Sequence, residues 1–216
     1  ALKAINTKIE ILNNEFIHLY NYNPIEHIKS RLKTPESIVK KLKRGGHEVT
    51  IPNMIEHLSD IAGIRIICSF SPDIYRIAEM IARQSDVTVL VVKDYIKNPK
   101  PNGYKSYHMV VTIPVYLSEG KRDTKVEIQI RTIAMDFWAS LEHKIAYKFE
   151  GKAPDYLERE LKSCADMVDM LDMKMFSLNQ AIMAVEEEER RREEEKRRER
   201  EKAERKQEEL AGNGPT

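Results

Sequence analysis

The chain has 216 residues, with 36 Lys and Arg against 35 Asp and Glu. That length suits one compact domain with appended helices, and the near-neutral balance provides no overall field to draw nucleic acid or a membrane surface, so an anionic ligand has to be gripped by a local cluster. Cys68 lies in an apolar run and Cys164 in a helical pattern; they form neither a disulfide framework nor a zinc site and fit a reducing cytosol, while no run approaches the roughly 18 apolar residues of a membrane span and no signal-peptide pattern opens the chain.

From Leu2 to Tyr20 the residues Ile5, Ile9, Leu12, Phe16 and Leu19 recur at steps of three and four and predict an amphipathic helix. Pro24 suits the first turn of a second helix, and Pro35 to Leu42, with Ser37 near its start, reads as a third. The character changes at Asp60. GIRIICSF (Gly63 to Phe70) is a β-branched run of strand length, and Ser71-Pro72 then opens a helix with Ile74, Ile77, Ala78 and Ile81 on one face. Val87 to Ile96 predicts another strand. After the Pro- and Gly-punctuated loop NPKPNGYKSY, the strings HMVVTIPVYL and KVEIQIRT predict two strands separated by the turn-forming SEGKRDT. In the second, Val126, Ile128 and Ile130 face one side, and Glu127, Gln129 and Arg131 the other.

Ala134 to Phe149 and Asp155 to Val185 read as two more helices, the latter carrying Leu157, Leu161, Cys164, Val168, Leu171, Met175 and Leu178 as an apolar stripe that needs a partner. Residues 186–210 are alternating blocks of acid and base. Pairs such as Glu187 with Arg191 and Glu188 with Arg192 stand at i, i+4 in the favourable order and predict a solvated single helix, with a disordered polyampholyte as the alternative. The expected organisation is a domain with flanking helices over residues 1–185 and a charged tail over 186–216.

Four clusters carry chemistry. RLKTPESIVKKLKR crowds Arg31, Lys33, Lys41 and Arg44 around a helix start at Ser37, a setting that suits polyphosphate. DIAGIRI brackets a strand entry with Asp60 and Arg65; a carboxylate held at a strand edge suits Mg²⁺, which prefers oxygen. KPNGYKSYH places Tyr104 among Lys100, Lys105 and His108, an aromatic ring to stack on a base with cations for phosphates. VEIQIRT presents Glu127, Gln129 and Arg131 over a face the core does not use. Each string taken alone also has an ordinary structural reading: a solvated basic helix, an Asp–Arg pair, a hairpin-type turn, a sheet-edge salt bridge. The chain lacks a GxxxxGK[ST] loop, GxGxxG, HExxH and GxSxG, and no close histidine pair with an acidic neighbour suggests a metal hydrolase.

In this order and spacing, RLKTPESIVKKL, DIAGIRI, NGYKSYH, EIQIRT and AMDFWASLEH resemble the synthetase domain of the RelA/SpoT family over about Ile25 to Phe149, and the wording of AMDFWASLEHK is closer to the RelP branch than to the RelQ branch. The resemblance implies an α+β fold, a mixed sheet flanked by helices and similar to nucleotidyltransferases. It implies a small alarmone synthetase that moves the pyrophosphate of ATP to the 3′-hydroxyl of GDP or GTP. Arg31 and Arg65 would stack on the adenine of ATP, with Lys33, Ser37, Lys41 and Arg44 on its phosphates. Asp60 and Glu127 would ligate Mg²⁺, and Glu127 would activate the acceptor hydroxyl. Tyr104 would stack on guanine, with Lys100 and His108 near the acceptor's phosphates and Gln129 and Glu142 completing the pocket. Where many synthetases carry asparagine in an AMNFW string, this chain carries Asp136, a departure that bears on the hydrogen bonds to guanine. Family likeness also implies a cytoplasmic tetramer joined through flanking helices, with no membrane partner. Two other readings stand beside this one: a toxic relative acting on adenine nucleotides or the tRNA 3′ end, and a non-catalytic nucleotide- or RNA-binding regulator. The motifs leave regulation by RNA or zinc open.

Overall fold

The protein was analysed as a computed structural model that describes residues 1–148 and 154–212. In chain order its elements are α1 (Leu2–Tyr20), β1 (Ile25–Leu32), α2 (Pro35–Arg44), α3 (Ile51–His57), β2 (Ala62–Cys68), α4 (Ser71–Ala82), β3 (Thr88–Asp94), β4 (Tyr107–Leu117), β5 (Gly120–Thr132), α5 (Ile133–Lys148) and α6 (Asp155–Gly212). The strands form one sheet in the order β1-β2-β5-β4-β3. The β2–β5 pair is parallel and the others antiparallel, so the sheet is mixed as the resemblance implied. A parallel pair needs a crossover, which α4, β3 and β4 supply between β2 and β5.

One face of the sheet makes the core. Ile64, Ile66, Met109, Val111, Ile113, Val126, Ile128 and Ile130 project there and pack against Ile5 and Ile9 of α1 and Ile74, Ile77, Ala78 and Ile81 of α4. The period of two on β5 and the steps of three and four on α1 and α4 therefore interlock as the sequence predicts. The opposite face presents the polar side chains of β1, β2, β4 and β5. A second cluster of Trp138, Ala139 and Ala165, joined by Tyr104, Leu161 and Val168, ties α5 and the start of α6 to the loop before β4.

The expected helix at Pro24 is a strand instead. β1 pairs antiparallel with β2 from Ile25↔Cys68 to Leu32↔Ala62, with an irregularity between Ile25 and His27. That irregularity shifts the inward phase, so Ile25 and Ile28 both reach the core side, and their three-residue spacing imitates a helix. The exposed, charged remainder of β1 is the usual dressing of an edge strand. The turn SEGKRDT is also tighter than expected: β4 and β5 pair up to Leu117↔Gly120, and KRDT belongs to β5. Phe149, the expected end of α5, lies outside the described residues. The tail is helical as far as 212, in line with the expected single helix.

By compactness the chain divides into Ala1–Asp172 and Met173–Thr216. The first unit holds the sheet, α1 to α5 and the start of α6. The second is the remainder of α6 from Met173, whose described residues include the ion pairs Arg190–Glu187, Arg192–Glu188 and Arg197–Glu201.

Candidate active site

The polar face of the sheet opens as a cleft of about 330 Å³ lined by Lys29, Ser30, Arg31, Gly63, Ile64, Arg65, Glu127 and Gln129. Register explains the gathering. Arg31 lies opposite Gly63 and Lys29 opposite Arg65 across β1 and β2, while Gly63 lies opposite Glu127 and Arg65 opposite Gln129 across β2 and β5. His108 on β4 faces Gln129 on β5. Five residues from four strands, Arg31, Arg65, His108, Glu127 and Gln129, thus share one sheet face because side chains at equal parity on paired strands point the same way.

At one end of this face the first two sequence clusters meet. Thr34 caps α2, its hydroxyl accepting from the Ser37 amide at 3.3 Å, and Pro35 begins the helix. With its start fixed, α2 sends Lys41 to Asp60 Oδ2 at 2.8 Å, where Lys33 Nζ also arrives at 2.9 Å. Burial pushes the Asp60 carboxyl up, but the two lysine hydrogen bonds more than offset it and hold the group below the ordinary carboxylate range. Asp60 Oδ1 is buried without a hydrogen-bond partner. Ser37 sits in the first turn of α2 and Arg44 in its last, roughly 10 Å apart along the axis. Both are exposed, and neither is drawn to Asp60.

At the other end a network centres on Arg131, buried to 4% exposure. Its guanidinium donates to Ser106 Oγ (3.2 Å), Asp136 Oδ1 (3.0 Å), Tyr104 Oη (2.6 Å) and Gln129 Oε1 (3.1 Å). The Tyr104 hydroxyl is 2.8 Å from His108 Nε2. Gln129 Nε2 donates to Glu127 Oε2 at 3.1 Å, and His108 Nδ1 lies 3.8 Å from Glu127 Oε1. Lys100 Nζ stands 4.8 Å from the centre of the Tyr104 ring and 5.0 Å from that of Tyr95. Burial first, and then the charges of Arg131, Lys100, Lys93 and Arg65, push His108 down to about 4, so the imidazole is neutral at neutral pH. Glu142 accepts from Asn102 Nδ2 at 3.3 Å and so touches the Tyr104 loop from α5.

The loop itself is pinned from behind. Gly103 has φ +89°, and a Cβ there would stand 2.5 Å from the Ala165 methyl of α6. Lys105 pairs with Asp169 at 2.5 Å, and Thr132 donates to Asp172 Oδ2 at 2.9 Å.

The alternation of EIQIRT puts Arg131 on the polar face of β5 but says only which side it faces, not what it holds. Lys125 was missed altogether; its ammonium donates to the carbonyls of Ile55 and Glu56 and closes the end of α3, next to Asp60 in sequence.

Comparison with known proteins agrees with this geometry. Residues 30–152 match the family described as "Region found in RelA / SpoT proteins". The chain is 50% identical to GTP pyrophosphokinase YwaC of Bacillus subtilis over 84% of its own length and 87% of that protein, and 37% identical to GTP pyrophosphokinase YjbM of the same organism over 81% and 82%. Among solved structures it resembles small alarmone synthetase 2 of B. subtilis (TM-score 0.75, 49% identity, 84% of this chain and 94% of that one). It also resembles small alarmone synthetase 1 of B. subtilis bound to its product pppGpp (TM-score 0.77, 33% identity, 83% and 91%). The chain belongs to the RelA/SpoT family, and its fold is that of the small alarmone synthetases.

Proposed function

We infer that the protein is a GTP pyrophosphokinase: it transfers the β,γ-pyrophosphoryl group of ATP to the ribose 3′-oxygen of GDP or GTP, forms (p)ppGpp and releases AMP. What supports this reading is the polar sheet face that carries Arg31, Arg65 and Glu127, with the Lys33–Asp60–Lys41 ion pairs near one end and the cation-flanked Tyr104 loop near the other.

Such a transfer makes few demands beyond alignment and charge neutralisation. The acceptor 3′-oxygen attacks the β-phosphorus, the bond from that phosphorus to the α,β-bridging oxygen breaks, and AMP leaves with the electron pair. Arg31 and Arg65 flank the cleft on β1 and β2 and would hold the adenine between them. Lys33, Ser37, Lys41 and Arg44 approach the triphosphate from β1 and α2, the two distant hydroxyl and guanidinium groups by contacts along its length. Tyr104 would stack on guanine, Lys100 and His108 would meet the acceptor's phosphates, and Gln129 and Glu142 would orient the pocket. Glu127 takes the proton of the 3′-hydroxyl, with Gln129 fixing one of its oxygens.

The residues suit Mg²⁺. Asp60, whose Oδ1 has no hydrogen-bond partner among the described residues, stands just before β2, and Glu127 lines the cleft from the neighbouring strand β5; both offer hard oxygen donors. Asp60 and Glu127 would hold the ion, which supplies charge neutralisation on the transferred phosphates. In this reading the synthetase region runs over residues 1–185 with the charged tail over 186–216, the wording of AMDFWASLEHK sets the chain nearer the RelP branch, and the molecule is a cytoplasmic homotetramer. Among the described residues no helix is long and apolar enough to cross a membrane.

Purified protein incubated with Mg²⁺ and ATP, and separately with GDP, GTP, adenine nucleotides or deacylated tRNA, tests the proposal by anion-exchange chromatography. AMP and ppGpp or pppGpp are expected with guanine acceptors and are expected to vanish in Glu127→Gln. Reaction with tRNA or adenine nucleotides alone would replace the assignment.

A further inference from the structure

Asp136 lies in the first turn of α5. The resemblance set this residue beside guanine. Its contacts point elsewhere. One oxygen, Oδ1, receives Arg65 Nη1 at 3.1 Å and Arg131 Nη1 at 3.0 Å. These guanidiniums belong to neighbouring parallel strands on the same sheet face: Arg131 is in register with Ile67, two residues beyond Arg65. Like charges so close repel, and burial deepens the cost. A carboxylate between them offsets both, whereas an amide in the same place could offer one oxygen to the two donors but without the charge.

Arg65 depends on this contact more than Arg131 does. Arg131 has Ser106, Tyr104 and Gln129 as further partners. Among the described residues Arg65 Nε is buried without a hydrogen-bond partner, and the pair with Asp136 is the ion pair that orients its guanidinium. Burial and the Arg131 charge push the Arg65 guanidinium down from its ordinary value, and Asp136 is the first opposing influence.

We propose that Asp136 is a positioning residue for the donor side of the site: with Arg131 behind it, it holds the Arg65 guanidinium in the cleft where the adenine of ATP is to stack, and it makes no contact with the acceptor base. The proposal rests on the pyrophosphokinase reading and specifies which nucleotide the carboxylate serves. An acceptor contact and a donor-side positioning role differ in which substrate suffers when the charge is removed.

The test is calorimetric titration of the full chain with α,β-methylene ATP and, separately, GDP, alongside KM for ATP and GDP in the complete reaction. Asp136→Asn is expected to weaken the ATP analogue and raise KM for ATP by about five- to tenfold, the loss of one charge-assisted hydrogen bond, while GDP binding changes less than about twofold. Arg65→Gln is expected to give the same donor-side loss, and Asp136→Asn added to it should weaken the analogue by less than about twofold more, since the two residues act through one contact. Asp136→Ser, smaller and uncharged, is to show the same split and replaces Asp136→Asn if that variant does not fold. A loss of GDP binding equal to or larger than that of the ATP analogue overturns the assignment, as does unchanged analogue binding or full additivity with Arg65→Gln. A wild-type chain that neither binds the analogue nor releases AMP sinks the pyrophosphokinase reading itself. One that binds and turns over both nucleotides, but whose variants show no split, sinks only the role of Asp136.

Discussion

His108 is a buried base among cations, and this has a consequence for acid stability. Its folded value is pushed down from 6.5 to about 4, so between those pH values the unfolded chain binds a proton that the folded chain refuses. The contribution of the neutral imidazole is fully present above about pH 6.5 and is lost as the pH falls towards 4, with a slope of at most about 1.4 kcal/mol per pH unit. Urea melts at pH 7.0, 5.5 and 4.5 should therefore show His108→Gln with a shallower loss of stability than wild type over that window; equal slopes would count against the buried neutral histidine. Tyr104 carries two separable parts. Its hydroxyl accepts from the buried Arg131 and reaches His108, while its ring carries Lys100 at 4.8 Å and is proposed to stack on the base. Tyr104→Phe should lower unfolding stability by about 1–3 kcal/mol because it leaves a buried guanidinium donor unmet, yet keep GDP affinity within a few-fold. Tyr104→Ala should lose GDP binding as well, and equal GDP affinities for the two variants would show that the ring does not stack.

Two elements are set by contacts between distant segments. The Tyr104 loop approaches α6 so closely at Gly103 that a methyl group would stand 2.5 Å from Ala165 Cβ, and the positive φ there disfavours any L side chain. Gly103→Ala should destabilise the chain by about 2–3 kcal/mol in chemical denaturation, and Ala165→Gly in the same chain should return the steric share but not the backbone share. No recovery at all would mean that the contact with α6 is unimportant. β1 teaches the same lesson at the level of secondary structure. The spacing of Ile25 and Ile28 belongs to an irregular strand and reads as a helix until the partner strand is seen, whereas α1, α4 and β5, with regular periods and one buried face, were legible from the string. The site was legible in its residue types for the same reason: DIAGIRI, NGYKSYH and EIQIRT lie on regular strands or at their ends. The role of Arg131 is not legible in the string because a buried guanidinium with four partners is defined by those partners, which come from its own strand, α5 and the loop before β4.

At the scale of the whole molecule, the apolar stripe foreseen on α6 divides. Leu161 and Val168 pack against the Trp138 cluster, while Leu171, Met175 and Leu178 are exposed by 59%, 51% and 50%. An exposed row of this size supports the proposed tetramer. Leu171→Glu with Leu178→Glu should shift the sedimenting species from tetramer to a smaller form; a wild type that already sediments as a monomer would end the proposal. What the string determined by itself was the alternation and period of its main elements, because burial of one face forces apolar residues into register along a strand or helix. It also offered the chemical groups from which the proposed site is drawn, because phosphate, metal and base each demand a narrow set of side chains. Tertiary structure alone decided which of those groups meet. Strand order and register put Arg31, Arg65, Glu127 and His108 on one face, and the start of α5 set a carboxylate between two arginines; such contacts join segments whose separation along the chain carries no information about their distance in space.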